Sequence, residues 1–419
     1  MGARVLFVPE TFNLGETSRG VEIAKALRGG GHDILFAGYS THLAGYIRDA
    51  EFEFELMEPH MSDADAAELI AFDQYRSLRV PFTEDMLGTR VASEIELFER
   101  WRPDVVVIGA TFSTFISARA AGVPLVFVKP YSASYGRMTT LREVRLTGGT
   151  GALPRAVNRL AGAAARGLAG HLRYLPSSFR TVASRYGLTL PGRSVEFLNA
   201  DVDLLASLFP AIDPPDLAPH EAVVGPVYAT SDAELPDRVL ELAGVARPLV
   251  YVGMGSSASH DLALDVLRQV GTMDVDVISS TGRYIPPIER DILPDNVHVF
   301  DFLPAPKLAG LIDVSITHGG EGTIQTACLS GAPLAGIGLQ AEQRSNIQEC
   351  VAYGNGLRFT PGDLRRGRLP AMVDRLLSEP SFKRAATRLR EAAADLDGPG
   401  ECARHILRIA ERARATGGA

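Results

Sequence analysis

The stretch Val314-Ser-Ile-Thr317, followed by His318-Gly-Gly-Glu-Gly-Thr323, contains the pattern from which the fold can be predicted. Val314 to Thr317 is a short apolar run, typical of a strand buried on both faces of a parallel sheet. From Thr323 onward the apolar residues recur with helical spacing. Between strand and helix, glycines let the backbone approach a ligand, while free N–H groups and the helix dipole favour negative charge. This pattern predicts an anion site, although an ordinary strand-to-helix turn with a satisfied histidine would look the same.

Polar side chains follow the next apolar run, which extends from Leu334 to Ile337. Gln340, Glu342 and Gln343 would lie at the carboxyl edge of the same parallel sheet, where ligands bind in such folds. Carboxylate and amide groups suit sugar hydroxyls, because each can make several hydrogen bonds. The segment therefore predicts a sugar contact beside the anion site.

The order His-Gly-Gly-x-Gly-Thr, then Gly-x-Pro, then Glu-Gln-x-x-Asn resembles the donor-site signature of family 1 glycosyltransferases. It is most similar to the bacterial enzymes that glycosylate macrolides and other natural products, and a weaker similarity extends along nearly the whole chain. The resemblance implies two Rossmann-like doubly wound α/β domains facing across a cleft, the GT-B fold. It also implies an inverting, metal-independent hexosyltransferase with a nucleotide-diphosphate sugar as co-substrate and no other cofactor.

The resemblance also implies which residues bind the donor. A second glycine-serine turn, Gly253 to Ser257, and a loop that begins at Ser280 would add contacts from the same rim. Asp301-Phe-Leu-Pro304 resembles the loop that packs an aromatic ring on the pyrimidine, although Phe302 could equally be a core residue. The predicted donor-binding residues are His318, Gly319, Gly320, Gly322, Thr323, Glu342, Gln343, Gly255, Ser256, Thr281, Phe302 and Leu303.

The loop after the first strand departs from the family pattern. Relatives usually carry a histidine base after a glycine there, whereas this chain has Glu16 after Gly15, before a helix predicted from about Gly20 to Leu27. A carboxylate can deprotonate a hydroxyl if burial lifts its pKa from about 4.3. The alternative is a helix N-terminal carboxylate that bonds the amides of Thr17 to Gly20. Relatives often place a supporting aspartate after the strand at Asp104–Ile108, and its absence here fits the missing histidine.

A chain of 419 residues favours two domains. The proline-rich segment from Phe209 to Pro219 is the clearest linker. We predict an acceptor-binding domain at 1–208, a linker at 209–222 and a nucleotide-sugar domain at 223–385. The resemblance implies that the last helices, 386–419, cross back to the first domain.

Composition excludes several other classes of function. The net charge of −8 argues against nucleic-acid binding, and no apolar run approaches the roughly 20 residues that span a bilayer. Three scattered cysteines predict reduced thiols, a cytoplasmic location and no metal cluster. Membrane contact through residues 156–168 is disfavoured, because small residues give that helix little apolar surface. We expect a small-molecule acceptor and a nucleotide sugar as partners, and we leave a homodimer open.

Two Asp-x-Asp triplets, Asp201–Asp203 and Asp274–Asp276, superficially match the metal-binding triplet of the other glycosyltransferase fold. Since Asp274–Asp276 leads into an apolar strand, we expect its acids to face water, and we predict no metal site. Thr326 stands where many uridine-dependent relatives have a ribose-binding glutamate, which slightly favours thymidine diphosphate unless Gln325 substitutes. The alternatives are a sugar-nucleotide epimerase of the same architecture and a catalytically silent nucleotide-binding partner protein.

Overall fold

The computed structural model of the chain describes residues 2–73, 82–140, 152–173, 175–255 and 259–417. The chain divides into two compact units, one of Met1–Val227 with Asp397–Ala419 and the other of Tyr228–Leu396. Each unit is built on one parallel sheet with helices between successive strands. The predicted class, two Rossmann-like doubly wound α/β domains, is therefore confirmed.

The first unit contains a seven-stranded sheet in the described residues, with the order β3-β2-β1-β4-β5-β6-β7 and parallel neighbours throughout. Its strands are β1 (Arg4–Val8), β2 (Asp33–Gly38), β3 (Glu53–Leu56), β4 (Val105–Ile108), β5 (Leu125–Lys129), β6 (Val202–Leu205) and β7 (Glu221–Val223). Its helices are α1 (Leu14–Leu27), α2 (Ala44–Asp49), α3 (Asp63–Asp73), α4 (Glu84–Trp101), α5 (Thr114–Ala121), α6 (Tyr135–Thr140), α7 (Ala152–His171), α8 (Ser177–Arg185), α9 (Ser194–Phe197) and α10 (Leu208–Ile212).

The second unit contains a six-stranded sheet in the described residues, with the order β10-β9-β8-β11-β12-β13 and parallel neighbours. Its strands are β8 (Leu249–Gly253), β9 (Asp276–Ser279), β10 (Val297–Val299), β11 (Val314–Thr317), β12 (Leu334–Gly336) and β13 (Gly356–Arg358). Its helices are α11 (Asp237–Ala243), α12 (His260–Val270), α13 (Pro287–Arg290), α14 (Glu321–Leu329), α15 (Ala341–Tyr353), α16 (Pro361–Arg365), α17 (Leu369–Ser378) and α18 (Pro380–Ala392). The last helix of the chain, α19 (Gly398–Gly417), returns to the first unit.

The central strands are apolar because helices cover both faces of each sheet. Every residue of β4 and of β11 is buried. On one face of the first sheet, Cys402 and Ile406 of α19 pack with α1. On the other face, α4, α5 and α8 supply the core. The sheets are therefore rigid supports for the loops at their strand ends.

The strand order reverses once in each sheet, between β1 and β4 in the first unit and between β8 and β11 in the second. In open α/β sheets, ligands bind in the crevice beyond the carboxyl ends of the strands at such a switch point. The loops that carry Glu16 and His318 follow β1 and β11 respectively. The topology therefore places both predicted groups at switch points.

The division between the units differs from the predicted boundaries. It falls between Val227 and Tyr228, and the proposed linker, 209–222, lies inside the first unit. That segment contains α10 and reaches β7, which pairs with β6. The Glu221 carboxylate accepts hydrogen bonds from the backbone N–H groups of Gly136 (3.1 Å) and Ala218 (3.0 Å). The prolines of residues 209–222 thus belong to a loop that contacts within the first unit hold in place. At the other end, residues 386–396 belong to the second unit, and the return begins at Asp397.

No helix within the described ranges is long and apolar enough to cross a bilayer. All three cysteines are buried and free of disulfide bonds. The Sγ atoms of Cys328 and Cys350 lie 3.8 Å apart between α14 and α15, where both behave as small core residues.

Candidate active site

Helix α1 begins at Leu14, six residues before the predicted start at Gly20, so that boundary was wrong. Asn13 is the residue that precedes the helix, and its Oδ1 accepts from the N–H groups of Gly15 (3.0 Å) and Glu16 (3.4 Å). Such a cap satisfies backbone donors at the helix start and outweighs the weak apolar periodicity of the first turn. Glu16 consequently lies in the first turn of α1.

The Glu16 carboxylate joins the loops that follow β1 and β4. Its Oε2 accepts from the backbone N–H groups of Ala110 (2.8 Å) and Glu10 (3.3 Å). Its Oε1 accepts from the side-chain amide of Asn13 at 3.2 Å. Glu16 is a helix N-terminal carboxylate, as the alternative interpretation has it, but its carboxylate accepts from the N–H groups of Ala110 and Glu10 and not from those of Thr17 to Gly20.

The environment of Glu16 raises the pKa of its carboxyl group from 4.5 to about 7. The residue is only half-buried, but its carboxylate lies inside, and this loss of hydration is the largest cause. The hydrogen bond from Ala110 opposes the rise, the negative charge of Glu10 adds to it, and the positive charge of Arg19 opposes it. A pKa close to neutrality is the value expected of a general base that works near pH 7.

Gly109 makes the approach of this carboxylate possible. A β-carbon on Gly109 would lie 2.2 Å from the Glu16 Oε2 atom, so any side chain there would push the carboxylate aside. Glu16 and Gly109 border a small recess with apolar walls that include Phe7, Val107 and Val128. The carboxylate is therefore held beside a recess at the sheet edge.

The segment after β4, Gly109 to Thr114, contains no acidic residue, in agreement with the sequence analysis. Asp104 precedes the strand, where its carboxylate accepts from the Arg4 N–H at 2.8 Å. After the strand, the Thr111 hydroxyl donates to the Val8 carbonyl at 2.7 Å and ties β4 to β1. From this loop, Glu16 takes its support from the backbone N–H of Ala110.

In the second unit, His318 follows β11 and is 4% exposed. Two glycines pack against its ring. A β-carbon on Gly255 would lie 2.2 Å from Cε1, and one on Gly320 would lie 2.6 Å from Nε2. Burial lowers the pKa of His318 to about 4, partly opposed by a hydrogen bond with the Gly253 backbone. At neutral pH this group is a neutral imidazole, which can contribute a hydrogen bond without a full positive charge.

The glycine turn after His318 is tightly constrained. Gly319 has a φ of +90°, and a β-carbon there would meet the Gln343 carbonyl oxygen at 2.8 Å. The Asn346 side chain donates to the Gly319 carbonyl at 3.1 Å and fastens α15 to the turn. The sequence signature contains Asn346, but its structural role could not be foreseen from spacing alone.

Helix α14 begins at Glu321, two residues before the predicted start, with Gly320 as its preceding residue. The first hydrogen bond within the helix runs from the Ile324 N–H to the Gly320 carbonyl at 2.9 Å. The N–H groups of Gly322 and Thr323 therefore lie in the first turn, where backbone N–H groups have no acceptor within the helix itself. Such a terminus at a switch point suits a phosphate.

The predicted sugar contacts Glu342 and Gln343 have different environments. Glu342 is half-buried, whereas Gln343 is 2% exposed. The Gln343 Oε1 accepts from the N–H groups of Leu339 (2.9 Å) and Gln340 (3.1 Å), and its Nε2 donates to the Gln340 side chain at 2.5 Å. Gln343 thus forms a capping box at the start of α15, which leaves Glu342 as the better-presented member of the pair.

The remaining residues that were predicted to bind the donor differ in how far their side chains are exposed. Ser256 lies outside the described residues. Thr281 is 1% exposed, and its hydroxyl lies 2.9 Å from that of Ser279. Phe302 is 51% exposed, so its interpretation as a core residue is wrong, and its ring is free to pack on a planar ligand. Leu303 is buried in the core, which leaves only its backbone for ligand contact.

Two neighbouring residues of α14 bear on the nucleotide. The Thr326 hydroxyl donates to the carbonyls of Gly322 and Thr323, each at 3.1 Å. Gln325 is completely buried, and its Nε2 donates to the Glu321 carboxylate at 2.9 Å. Gln325 is therefore fixed in the interior of the second unit by its bond to Glu321.

Three of the four acids in the two Asp-x-Asp triplets contact cations of the chain, whereas the Asp201 carboxylate accepts from the Leu125 N–H at 2.8 Å. Asp203 is buried with its Oδ2 2.5 Å from the Lys129 ammonium, and it forms a cluster with His220 and Glu221. Asp276 is 7% exposed and contacts Arg247, as does the exposed Asp274. The expectation that both acids of the second triplet face water was wrong for Asp276. A buried acid requires a partner, and Arg247 supplies it.

Comparison with protein families gives a match to the C-terminal domain model of erythromycin biosynthesis protein CIII-like proteins over residues 264–409. Among curated proteins, a PGL/p-HBAD biosynthesis rhamnosyltransferase of Mycobacterium bovis is 27% identical over 399 residues, or 93% of this chain and 84% of that protein. The 4'-demethylrebeccamycin synthase of Lentzea aerocolonigenes is 30% identical over 186 residues, which are 43% of each chain.

Solved structures share the fold of the whole chain. The glycosyltransferase VinC, solved in complex with DTDP, superposes with a TM-score of 0.71 and 21% identity. The alignment covers 98% of this chain and all of VinC.

Proposed function

The chain is a glycosyltransferase of the GT-B fold, similar to the bacterial natural-product glycosyltransferases, and from this premise we propose its reaction. It transfers a sugar from a nucleoside-diphosphate donor to a small natural-product acceptor, with inversion at the anomeric carbon. Glu16 is the base, and the loops of the second unit bind the donor.

The observation that carries the assignment of the base is the placement of Glu16. Its carboxylate lies at the switch point of the first sheet, is held by the N–H of Ala110, and has a pKa of about 7. A group with these properties can accept a proton near neutral pH and is supported in the orientation needed to do so. A carboxylate serving only as a helix cap would not need to reach the loop after β4.

In the proposed step, Glu16 accepts the proton of an acceptor hydroxyl while the oxygen attacks the anomeric carbon of the donor. The bond between that carbon and the diphosphate breaks, and the diphosphate leaves with the electron pair. A single displacement of this kind inverts the anomeric centre. The N–H groups at the start of α14 and the His318 imidazole would stabilise the departing diphosphate.

The donor is proposed to be a thymidine-diphosphate sugar. Thr326 has its hydroxyl turned to its own helix, and Gln325 is fixed to Glu321, so neither offers a carboxylate to ribose hydroxyls. VinC, whose structure contains DTDP, fits this choice of nucleotide. Glu342 is proposed to contact the sugar, and the exposed ring of Phe302 to pack on the base.

No metal ion is needed in the proposed reaction, because a helix terminus supplies the electrostatic stabilisation of the diphosphate. The chemistry of the one described cluster of metal-ligand type, Asp203 with His220 and Glu221, supports this view. The Lys129 ammonium already contacts Asp203 and would repel a divalent cation.

The test is turnover with a panel of thymidine- and uridine-diphosphate sugars and natural-product acceptors, read by mass spectrometry. With an accepted pair, Glu16→Gln should lower kcat by roughly 100- to 10,000-fold, with little change in donor affinity. Glu22→Gln is the matched control, because Glu22 lies in the same helix and forms an ion pair with Lys25 (2.9 Å). Normal turnover by Glu16→Gln would remove Glu16 as the base, and donor binding without any transfer or hydrolysis would contradict an enzyme.

A further inference from the structure

A buried ion pair lies directly behind the loop that holds Glu16. The Arg90 guanidinium of α4 is fully buried, and its Nη1 lies 2.6 Å from the Glu10 Oε1 atom. The guanidinium also packs over the Tyr39 ring at 4.0 Å from the ring centre. Charged side chains are rarely placed in a core without a partner, so this pair is a specific feature of the first unit.

The same helix holds the loop after β4 through a second carboxylate. Glu94 is fully buried one turn after Arg90, and it accepts from the Tyr39 hydroxyl and the Ser113 hydroxyl, each at 2.6 Å. The hydroxyls of Thr114 (3.2 Å) and Ser117 complete its contacts. Ser113 lies three residues after Ala110, whose N–H donates to Glu16.

These contacts converge on the candidate base from two sides. Arg90 fixes Glu10, whose own N–H donates to the Glu16 carboxylate, and Glu94 fixes the segment that follows Ala110. We propose that Arg90 and Glu94 are positioning residues, which hold the two loop N–H groups against Glu16 and set the electrostatic field of its carboxylate. This inference rests on the proposed role of Glu16 as the base.

The charged groups that face Glu16 among the described residues predict whether a substitution should favour or disfavour the ionised form of its carboxyl group. Glu10, in the loop after β1, is the nearby negative group, and Arg19 of α1 is the positive one. Arg90 of α4 balances Glu10. Glu10→Gln would remove the negative charge that acts on Glu16 and favour its ionised form, whereas Arg90→Met would leave Glu10 without its counter-ion and disfavour that form.

The experiment is the pH dependence of kcat for Glu10→Gln, Arg90→Met and the double variant. The acidic limb should move to lower pH in Glu10→Gln and to higher pH in Arg90→Met, each by about one pH unit. In the double variant it should return close to the wild-type position. Arg100→Met is the matched control, because Arg100 is on the same helix but pairs with Glu55 at the surface and should leave the limb in place.

Arg90→Met removes one member of a buried pair and could fail to fold. In that event the comparison of Glu10→Gln with the double variant decides, because neither variant contains a buried Glu10 carboxylate without its counter-ion. The acidic limb of Glu10→Gln should lie at a lower pH than that of the double variant. Limbs that stay in place, or that move in the same direction in both single variants, overturn the inference. If Glu16→Gln itself keeps the limb, the assignment of the base has failed instead.

Discussion

The carboxylate of Glu16 packs against Gly109, where an added β-carbon would lie 2.2 Å from the Oε2 atom. Glu16 lies at the start of α1 and Gly109 directly after β4. The contact therefore joins the two segments that follow β1 and β4, between which the strand order of the first sheet reverses. A side chain at position 109 would therefore displace the Glu16 carboxylate from this contact.

Gly109→Ala should displace the Glu16 carboxylate while leaving its chemistry intact. We expect kcat to fall by about 100-fold, the scale of a displacement of roughly 1 Å at a reacting group. Donor affinity should be unchanged, because the donor residues belong to the second unit. Steady-state kinetics and calorimetry with thymidine diphosphate provide the measurement. Gly29→Ala is the control, since a β-carbon there would contact nothing within 4 Å; equal activity in both variants would contradict the packing argument.

Glu16→Gln should lose activity but gain stability at higher pH. Because the folded-state pKa of about 7 is raised above the ordinary value of 4.5, the carboxyl group favours the folded state at low pH. That contribution is lost as pH rises from 4.5 through 7. The Tm of Glu16→Gln relative to wild type should therefore increase between pH 5 and pH 7.5. A Tm difference that is constant across this range would show that the carboxyl group has an ordinary pKa in the folded protein.

His318 should bind the diphosphate as a neutral donor whose pKa rises when the anion arrives. His318→Ala should weaken thymidine diphosphate by roughly 10- to 100-fold, the equivalent of one hydrogen bond to a charged group. In the wild type, burial holds the pKa of the imidazole at about 4, and an adjacent phosphate should raise it. NMR titration of the ring with and without nucleotide measures the change, and His298→Ala is the control in the same unit. If the pKa of the His318 imidazole does not change when the nucleotide binds, the diphosphate does not bind next to His318.

Strand patterns predicted much of this architecture because the buried strands are apolar on both faces. Val314–Thr317 has the predicted bounds, and the strands predicted at Asp104–Ile108 and Leu334–Ile337 each differ by one residue at one end. Helix starts were less accurate, since Asn13 and Gly320 define them through backbone geometry that apolar spacing does not report. The domain boundary was displaced because prolines mark a loop equally well inside a domain and between domains.

The side chains of the candidate site show a different limit of sequence analysis. His318 could be singled out because it stands between an apolar strand and a glycine turn, and Glu16 because it stands where the family resemblance places the base. The support from Arg90 and Glu94 could not, since these residues lie about 80 positions from the first loop and their pairing depends on the packing of α4. Likewise, the signature cannot distinguish Gln343 as a sugar contact from Gln343 as a capping residue.

Gln343→Ala and Glu342→Ala should therefore have separate effects. Loss of Gln343 leaves the N–H groups of Leu339 and Gln340 without their acceptor, at a cost of about 1–3 kcal/mol of folding free energy. Gln343→Glu keeps an acceptor oxygen and should recover much of that loss. Glu342→Ala should instead raise the KM for the donor sugar while sparing free thymidine diphosphate. Denaturant unfolding and kinetics distinguish the two, and an unchanged stability of Gln343→Ala would argue against the capping role.

The wild-type protein should bind thymidine diphosphate at least as well as uridine diphosphate, because neither Thr326 nor Gln325 offers a carboxylate to the 2′-hydroxyl. Thr326 is turned to its own helix and Gln325 is held by Glu321. Thr326→Glu should add a bidentate acceptor and shift the ratio of affinities toward uridine diphosphate by about tenfold, equivalent to about 1.4 kcal/mol. Thr326→Gln is the matched control, since it has the same length without the charge. Competition between the two free diphosphates measures the ratio, and a tenfold preference of the wild type for uridine diphosphate would mean that another group holds the ribose.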